Sequence, residues 1–133
     1  MFCSPASRPG RARFPNSPTI YTAHQGSPFV TIPDAATIVW DLQRAQKGKV
    51  TIGATGRTMT FVNGVDGFTY WLLVLQDGTG SRTITTWTNF DYGTAGTQTL
   101  TTTASKGDLL AFEGITIAGT FKLRYCGIQK GYT

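Results

Sequence analysis

Six apolar residues in succession, Tyr70-Trp71-Leu72-Leu73-Val74-Leu75, constrain this chain more than any other feature of it. With Phe68 before them and Gln76 after, they read as the longest strand of the sequence. Side chains alternate between the two faces of a strand, so both faces here are apolar and both call for cover. In a chain of 133 residues that cover comes either from a central place in the core or from another subunit.

The rest of the chain from Phe29 onward repeats the theme in shorter pieces. Thr37 to Leu42 puts Ile38, Trp40 and Leu42 on one face, and Lys49 to Gly53 does the same with Val50 and Ile52. Arg57 to Val62 sets Met59 and Phe61 against Thr58 and Thr60. Gln76-Asp77-Gly78-Thr79-Gly80-Ser81 predicts a hairpin turn, because Asp-Gly tolerates the positive φ angles of tight hairpins. Arg82 to Thr88 returns as a strand with Ile84 inward and Trp87 on the opposite parity. Further strands are expected at Gln98–Thr103 around Leu100, at Leu109–Gly114 after a Lys106-Gly107-Asp108 turn, and at Phe121–Cys126, with Cys126 buried. The best helix candidate, Asp41–Lys49, is short and interrupted by Gly48. About eight short strands at near-regular spacing predict an all-β fold: a single antiparallel sandwich or barrel of the jelly-roll type, over residues 29–133.

Residues 1–28 are different in kind. Pro5, Pro9, Pro15, Pro18 and Pro28 lie within them. Proline lacks an amide donor and fixes φ, which excludes a regular helix or central strand. An extended arm is expected, with Phe14, Ile20 and Tyr21 as apolar anchors along it. Arg8, Arg11 and Arg13 supply three of the five net positive charges, all before the first acid, Asp34. A uniformly basic nucleic-acid binder would spread its charge otherwise. The arm's arginines suit an acidic protein surface as readily as phosphate.

Charge is scarce elsewhere: 14% of residues are charged, against about 25% in average soluble proteins. Threonine fills the gap. That suits either packing against other protein or an ordinary strand-rich fold. No stretch approaches the roughly 20 apolar residues of a membrane span, and Met1–Arg13 lacks the apolar middle of a secretory signal. Folding in a cytoplasm, with Cys3 and Cys126 as free thiols, is the expectation.

Reactive groups are sparse. His24 is the single histidine and sits in the arm, which argues against a histidine-centred acid–base site. Asp34, Asp77 and Asp108 stand in turn contexts where aspartate bonds nearby backbone, and Glu113 is the least explained acid. Neither a cofactor nor a metal is expected: Asp77-Gly78-Thr79-Gly80 lacks the alternating acids of a calcium loop. Trp87, Phe90 and Tyr92, with Asn89 and Asp91 between them, form a candidate exposed aromatic loop for a glycan, and packing in a core or interface explains them equally well.

The stretch Gln76-Asp77-Gly78-Thr79-Gly80-Ser81-Arg82-Thr83 with the following Trp87, the preceding Val50-Thr51-Ile52 strand, and the later Gly107-Asp108-Leu109-Leu110-Ala111-Phe112 resembles a β-rich module of tailed-bacteriophage virion proteins. The resemblance covers roughly Thr37 to Phe112, and Glu113-Gly114 departs from its closing turn. It implies a non-enzymatic virion structural protein, assembled in the host cytoplasm as a homo-oligomer, expected to be a trimer. Such modules occur in head decorations, head fibres and tail fibres. With no shaft, repeat or heptad, a capsid decoration or cement protein is expected. Its arm would hold the major capsid protein or another virion protein through Arg8, Arg11, Arg13, Phe14, Ile20 and Tyr21, with no membrane and no specific nucleic acid as partner. The alternative is a fibre or tail-tip protein binding a host receptor or glycan through Trp87, Phe90 and Tyr92.

Overall fold

The apolar alternation does produce strands. The computed structural model describes residues 27–133; Arg8, Arg11, Arg13, Phe14, Ile20, Tyr21 and His24 lie outside the described residues. Nine strands follow: β1 (Phe29–Thr31), β2 (Thr37–Asp41), β3 (Lys47–Ile52), β4 (Arg57–Val62), β5 (Thr69–Gln76), β6 (Ile84–Trp87), β7 (Phe90–Asp91), β8 (Gly107–Ile117) and β9 (Thr120–Tyr132). The protein is all-β.

Its topology differs from the expected one. A six-stranded sheet runs β1-β3-β5-β8-β9-β7, and a three-stranded sheet runs β2-β4-β6. Through β6 the chain changes sheet with every strand. It then returns two strands later to lie parallel beside its starting point: β1 with β3, β3 with β5, β2 with β4, β4 with β6. Parallel neighbours need a crossover, and here each crossover contains a strand of the opposite sheet. The result is three stacked coils instead of the antiparallel jelly-roll arrangement. Only β5–β8 and β8–β9 run antiparallel.

Several local expectations change with it. Asp77-Gly78 is no hairpin, because β5 and β6 belong to different sheets. The hairpin lies between β8 and β9, where Ala118 and Gly119 both take positive φ (51° and 78°), as a two-residue turn between twisted strands requires. Gly107 and Asp108 begin β8 rather than forming a turn. Residues 98–103 form no strand, although Leu100 is buried. Asp41–Lys49 is not helical: the Ala45 N–H donates to the Asp41 carbonyl (3.0 Å), and β3 then begins at Lys47. Cys126 is exposed on β9. The register shifts between Ala111 and Phe112, which pair with Gly127 and Tyr125, so Cys126 is the extra residue of a bulge; alternation with the inward Leu123 and Tyr125 already sets it on the outer face.

One apolar cluster joins the two sheets: Ile38, Trp40 and Met59 from the small sheet, with Val50, Ile52, Tyr70, Leu72, Val74, Leu110, Phe112 and Leu123 from the large one. Trp40 is fully buried, and its indole N–H donates to the Ala45 carbonyl at 2.7 Å. Gly48 makes this possible. A Cβ there would sit 2.5 Å from Ile32 Cδ1 and 2.8 Å from Trp40 Nε1.

Candidate functional site

The residues that suggest chemistry are engaged in holding the fold. Asp34 accepts from Arg57 Nε (3.0 Å) and Nη2 (2.6 Å) and from the Gly53 N–H (3.1 Å). Glu113 accepts from the Thr69 hydroxyl at 2.9 Å. Asp91 pairs with Arg124 and accepts from the Gly93 N–H at 2.8 Å. That backbone bond, and then the guanidinium, hold its carboxyl below the ordinary value. Asp108 is buried and ties two segments together, accepting from the Thr101 N–H (2.6 Å) and the Gly131 N–H (2.9 Å). Among the described residues no group of three or more His, Cys, Asp or Glu is placed to hold a metal ion.

The octet that carries the phage resemblance has the same character. Gln76 is 4% exposed, and its side chain imitates a strand neighbour for Arg82. It donates to the Arg82 carbonyl and accepts from the Arg82 N–H, both at 2.9 Å. Asp77 accepts from the Thr79 and Gly80 N–H groups (3.0 and 2.9 Å) and from Arg82 Nε (3.0 Å). Arg82 and then the Gly80 amide hold its carboxyl below the ordinary value. Gly80 has φ +77°, and a Cβ there would lie 2.7 Å from the Thr102 carbonyl and the Ala104 nitrogen. The octet is thus built to carry the chain from one sheet to the other.

The predicted aromatic loop is not exposed. Phe90 and Tyr92 are buried and Trp87 is partly buried against the same core. Trp87 meets Phe90 and Tyr92 edge to face, at centroid distances of 5.1 and 5.7 Å. Trp87 Nε1 and the Tyr92 hydroxyl are buried without a hydrogen-bond partner among the described residues. Burial pushes the Tyr92 hydroxyl well above its ordinary pKa. The reason for the burial lies 33 residues away in sequence: β7 pairs with β9 through Phe90–Leu123 and Asp91–Arg124, which draws these rings inward. Phe90 and Tyr92 are therefore closed to a sugar ring, while Trp87 keeps part of its surface exposed.

One exposed apolar face is the outer side of the large sheet. On β5, Tyr70, Leu72 and Val74 point into the core, while Trp71, Leu73 and Leu75 point outward, with Trp71 37% exposed. The register extends this row sideways. Trp71 lies beside Ala111 and Leu73 beside Leu109 on β8; on the other flank they meet Lys47 and Lys49 of β3. Gly107 opposite Leu75 leaves room for it, since a Cβ would sit 2.5 Å from Leu75 Cδ2. Beyond Lys47 lies Phe29, whose ring centroid is 5.7 Å from the ammonium. Neither lysine has a carboxylate within salt-bridge distance among the described residues. Apolar centre and basic flank together make the candidate interaction surface. Trp71, Leu73 and Leu75 were legible as a second apolar face. Leu109, Ala111 and the two lysines were not, because they join the surface only through strand order.

The chain matches no family model, and neither any curated protein nor any solved structure matches it.

Proposed function

We propose that the protein is a phage virion structural protein, a capsid decoration or cement protein. In this reading it assembles with copies of itself, as a trimer, through the outer face of its large sheet, and binds the capsid shell through its N-terminal arm. The observation that carries the self-association is the contiguous apolar row Trp71, Leu73, Leu75, Leu109 and Ala111 on the outer face of the large sheet, with Trp71 exposed and the others half-buried. Strips of this kind mark interaction sites when they are contiguous and rimmed by polar residues. The virion assignment draws its support from the octet and from the Gly107–Phe112 strand. Cement action then follows from mass action: a protein that binds the intact shell and not its separated subunits stabilises the shell.

Trp71 sets the scale. A tryptophan presents roughly 250 Å², so 37% exposure leaves about 90 Å², worth about 2 kcal/mol at ~25 cal/mol/Å² if a partner covers it. Sedimentation equilibrium should therefore find an oligomer for the wild type, weakened about 30-fold per contact in Trp71→Lys. Unfolding of the same variant checks that the fold survives. A wild type that stays monomeric at high concentration would overturn the self-association. Deleting residues 1–28 should leave the oligomer intact and abolish capsid binding; binding retained would remove the arm from the proposal.

A further inference from the structure

β4 stops at Val62, and Asn63-Gly64 follows, the only Asn-Gly pair in the sequence. Such a pair can react with itself. The nitrogen of a residue without a side chain is unhindered, and it sits one residue from the asparagine carboxamide, so attack is intramolecular. Asn63 is exposed and takes φ +60°, in the left-handed region that asparagine tolerates. The Gly64 N–H has no acceptor among the described residues. Two contacts restrain the pair. Asn63 Nδ2 donates to Asp41 Oδ1 at 3.0 Å, and the same oxygen accepts from the Gln43 N–H at 3.1 Å. Gly64 is wedged against Phe121: a Cβ there would overlap the Phe121 ring and come within 3.2 Å of Leu42 Cδ1.

We propose that Asn63 is a deamidation site that the Asp41 carboxylate holds in check. The Gly64 nitrogen forms a bond to Asn63 Cγ, and the Cγ–Nδ2 bond breaks. The Gly64 proton, relayed by water, leaves with Nδ2 as ammonia. Water then opens the cyclic imide at either carbonyl, giving aspartate or isoaspartate, with nothing oxidised or reduced. Ring closure turns the carboxamide onto its own main chain, and the bond to Asp41 resists that turn. The product acts on the fold. A carboxylate at position 63 has no N–H to give Asp41 and sets two like charges side by side. These residues close the β2–β4 ladder, where Asp41 lies beside Val62 and the Leu42 N–H donates to the Val62 carbonyl at 3.0 Å. Deamidation therefore loosens the small sheet at this end. The assignment does not depend on the virion reading.

The test follows each asparagine of the full chain by peptide mass mapping during incubation in mildly alkaline buffer. In urea, Asn63 should convert faster than Asn16 or Asn89, which precede Ser17 and Phe90. In the folded wild type it should convert at least about tenfold more slowly than in urea. Asp41→Ala should remove most of that protection, and Asp41→Asn, which keeps an acceptor oxygen, should retain it. An Asn63 no faster than the other two in urea would overturn the site, and equal rates in wild type and Asp41→Ala would overturn the restraint. Should Asp41→Ala fail to fold, the wild type decides: equal rates in its folded and urea-unfolded forms would overturn the restraint as well. In Asn63→Asp the Leu42 amide should exchange about tenfold faster than in the wild type; unchanged exchange would overturn the effect on the ladder.

Discussion

Replacing Gln76 by alanine tests whether the octet is architecture or a recognition loop. In the wild type its amide satisfies both backbone groups of Arg82 at 2.9 Å while the residue is 4% exposed. Alanine removes two hydrogen bonds, each worth about 1 kcal/mol net, and strands a partly buried N–H and C=O, so the total loss is about 2–4 kcal/mol. That is a large share of the roughly 5–15 kcal/mol that holds a domain together. Thr79 is the control: it is exposed and its hydroxyl makes no hydrogen bond among the described residues, so Thr79→Ala should stay within about 0.5 kcal/mol. Urea unfolding followed by tryptophan fluorescence reads both, with a shifted midpoint and an unchanged slope. Equal losses at Gln76 and Thr79, or a Gln76→Ala midpoint matching the wild type, would refute the architectural role.

Other expectations follow from particular contacts. Gly48→Ala places a methyl 2.5 Å from Ile32 Cδ1 and 2.8 Å from Trp40 Nε1, and thermal unfolding should register about 1–3 kcal/mol of overpacking. Ala118→Gly relieves a positive φ of 51° in the β8–β9 turn and should raise stability by about 0.5–1 kcal/mol, read as a higher melting temperature. The carboxyls of Asp77 and Asp91 titrate below their ordinary values because Arg82 and the Gly93 amide favour the charged forms. Their stabilisation is therefore complete above the ordinary carboxyl range of about pH 4 and is lost as the pH falls through the depressed folded values. Asp77→Asn should flatten that acid limb in an unfolding series, and a limb of unchanged steepness would remove Asp77 from it.

The inward faces were legible because alternation depends only on the pleat. Ile38 and Trp40, Val50 and Ile52, and Leu72 and Val74 are buried as their spacing requires. Strand neighbours were not legible, because alternation is the same whether the adjacent strand runs parallel or antiparallel. The coils also escape a search for repeats: Lys47 lies 18 residues after its neighbour Phe29, while Trp71 lies 24 after Lys47, so no fixed period exists to be found. Phe90 and Tyr92 sit among Asn89, Asp91 and Gly93, residues that signal a turn; only the distant pairing with β9 sends the rings inward. Of the interaction surface, the half on β5 could be read directly from the run at residues 70–75. The half on β8 and β3 could not, since it arises from register.

The coil stack also dictates when the chain can begin to fold. Each pairing among β1 to β6 joins residues 18 or more apart, so loop closure must be met before any contact repays it. The turn at Ala118-Gly119 is the only tight hairpin among the described strands, and it follows β1 to β8 in chain order. The expected nucleus is therefore the β8–β9 hairpin, and β1 to β6 wait, with their apolar faces wet, until it has formed. Pulse-labelled exchange during refolding should find Ile115 and Leu123 protected before Val50 or Met59; the opposite order would show that a coil can close without it.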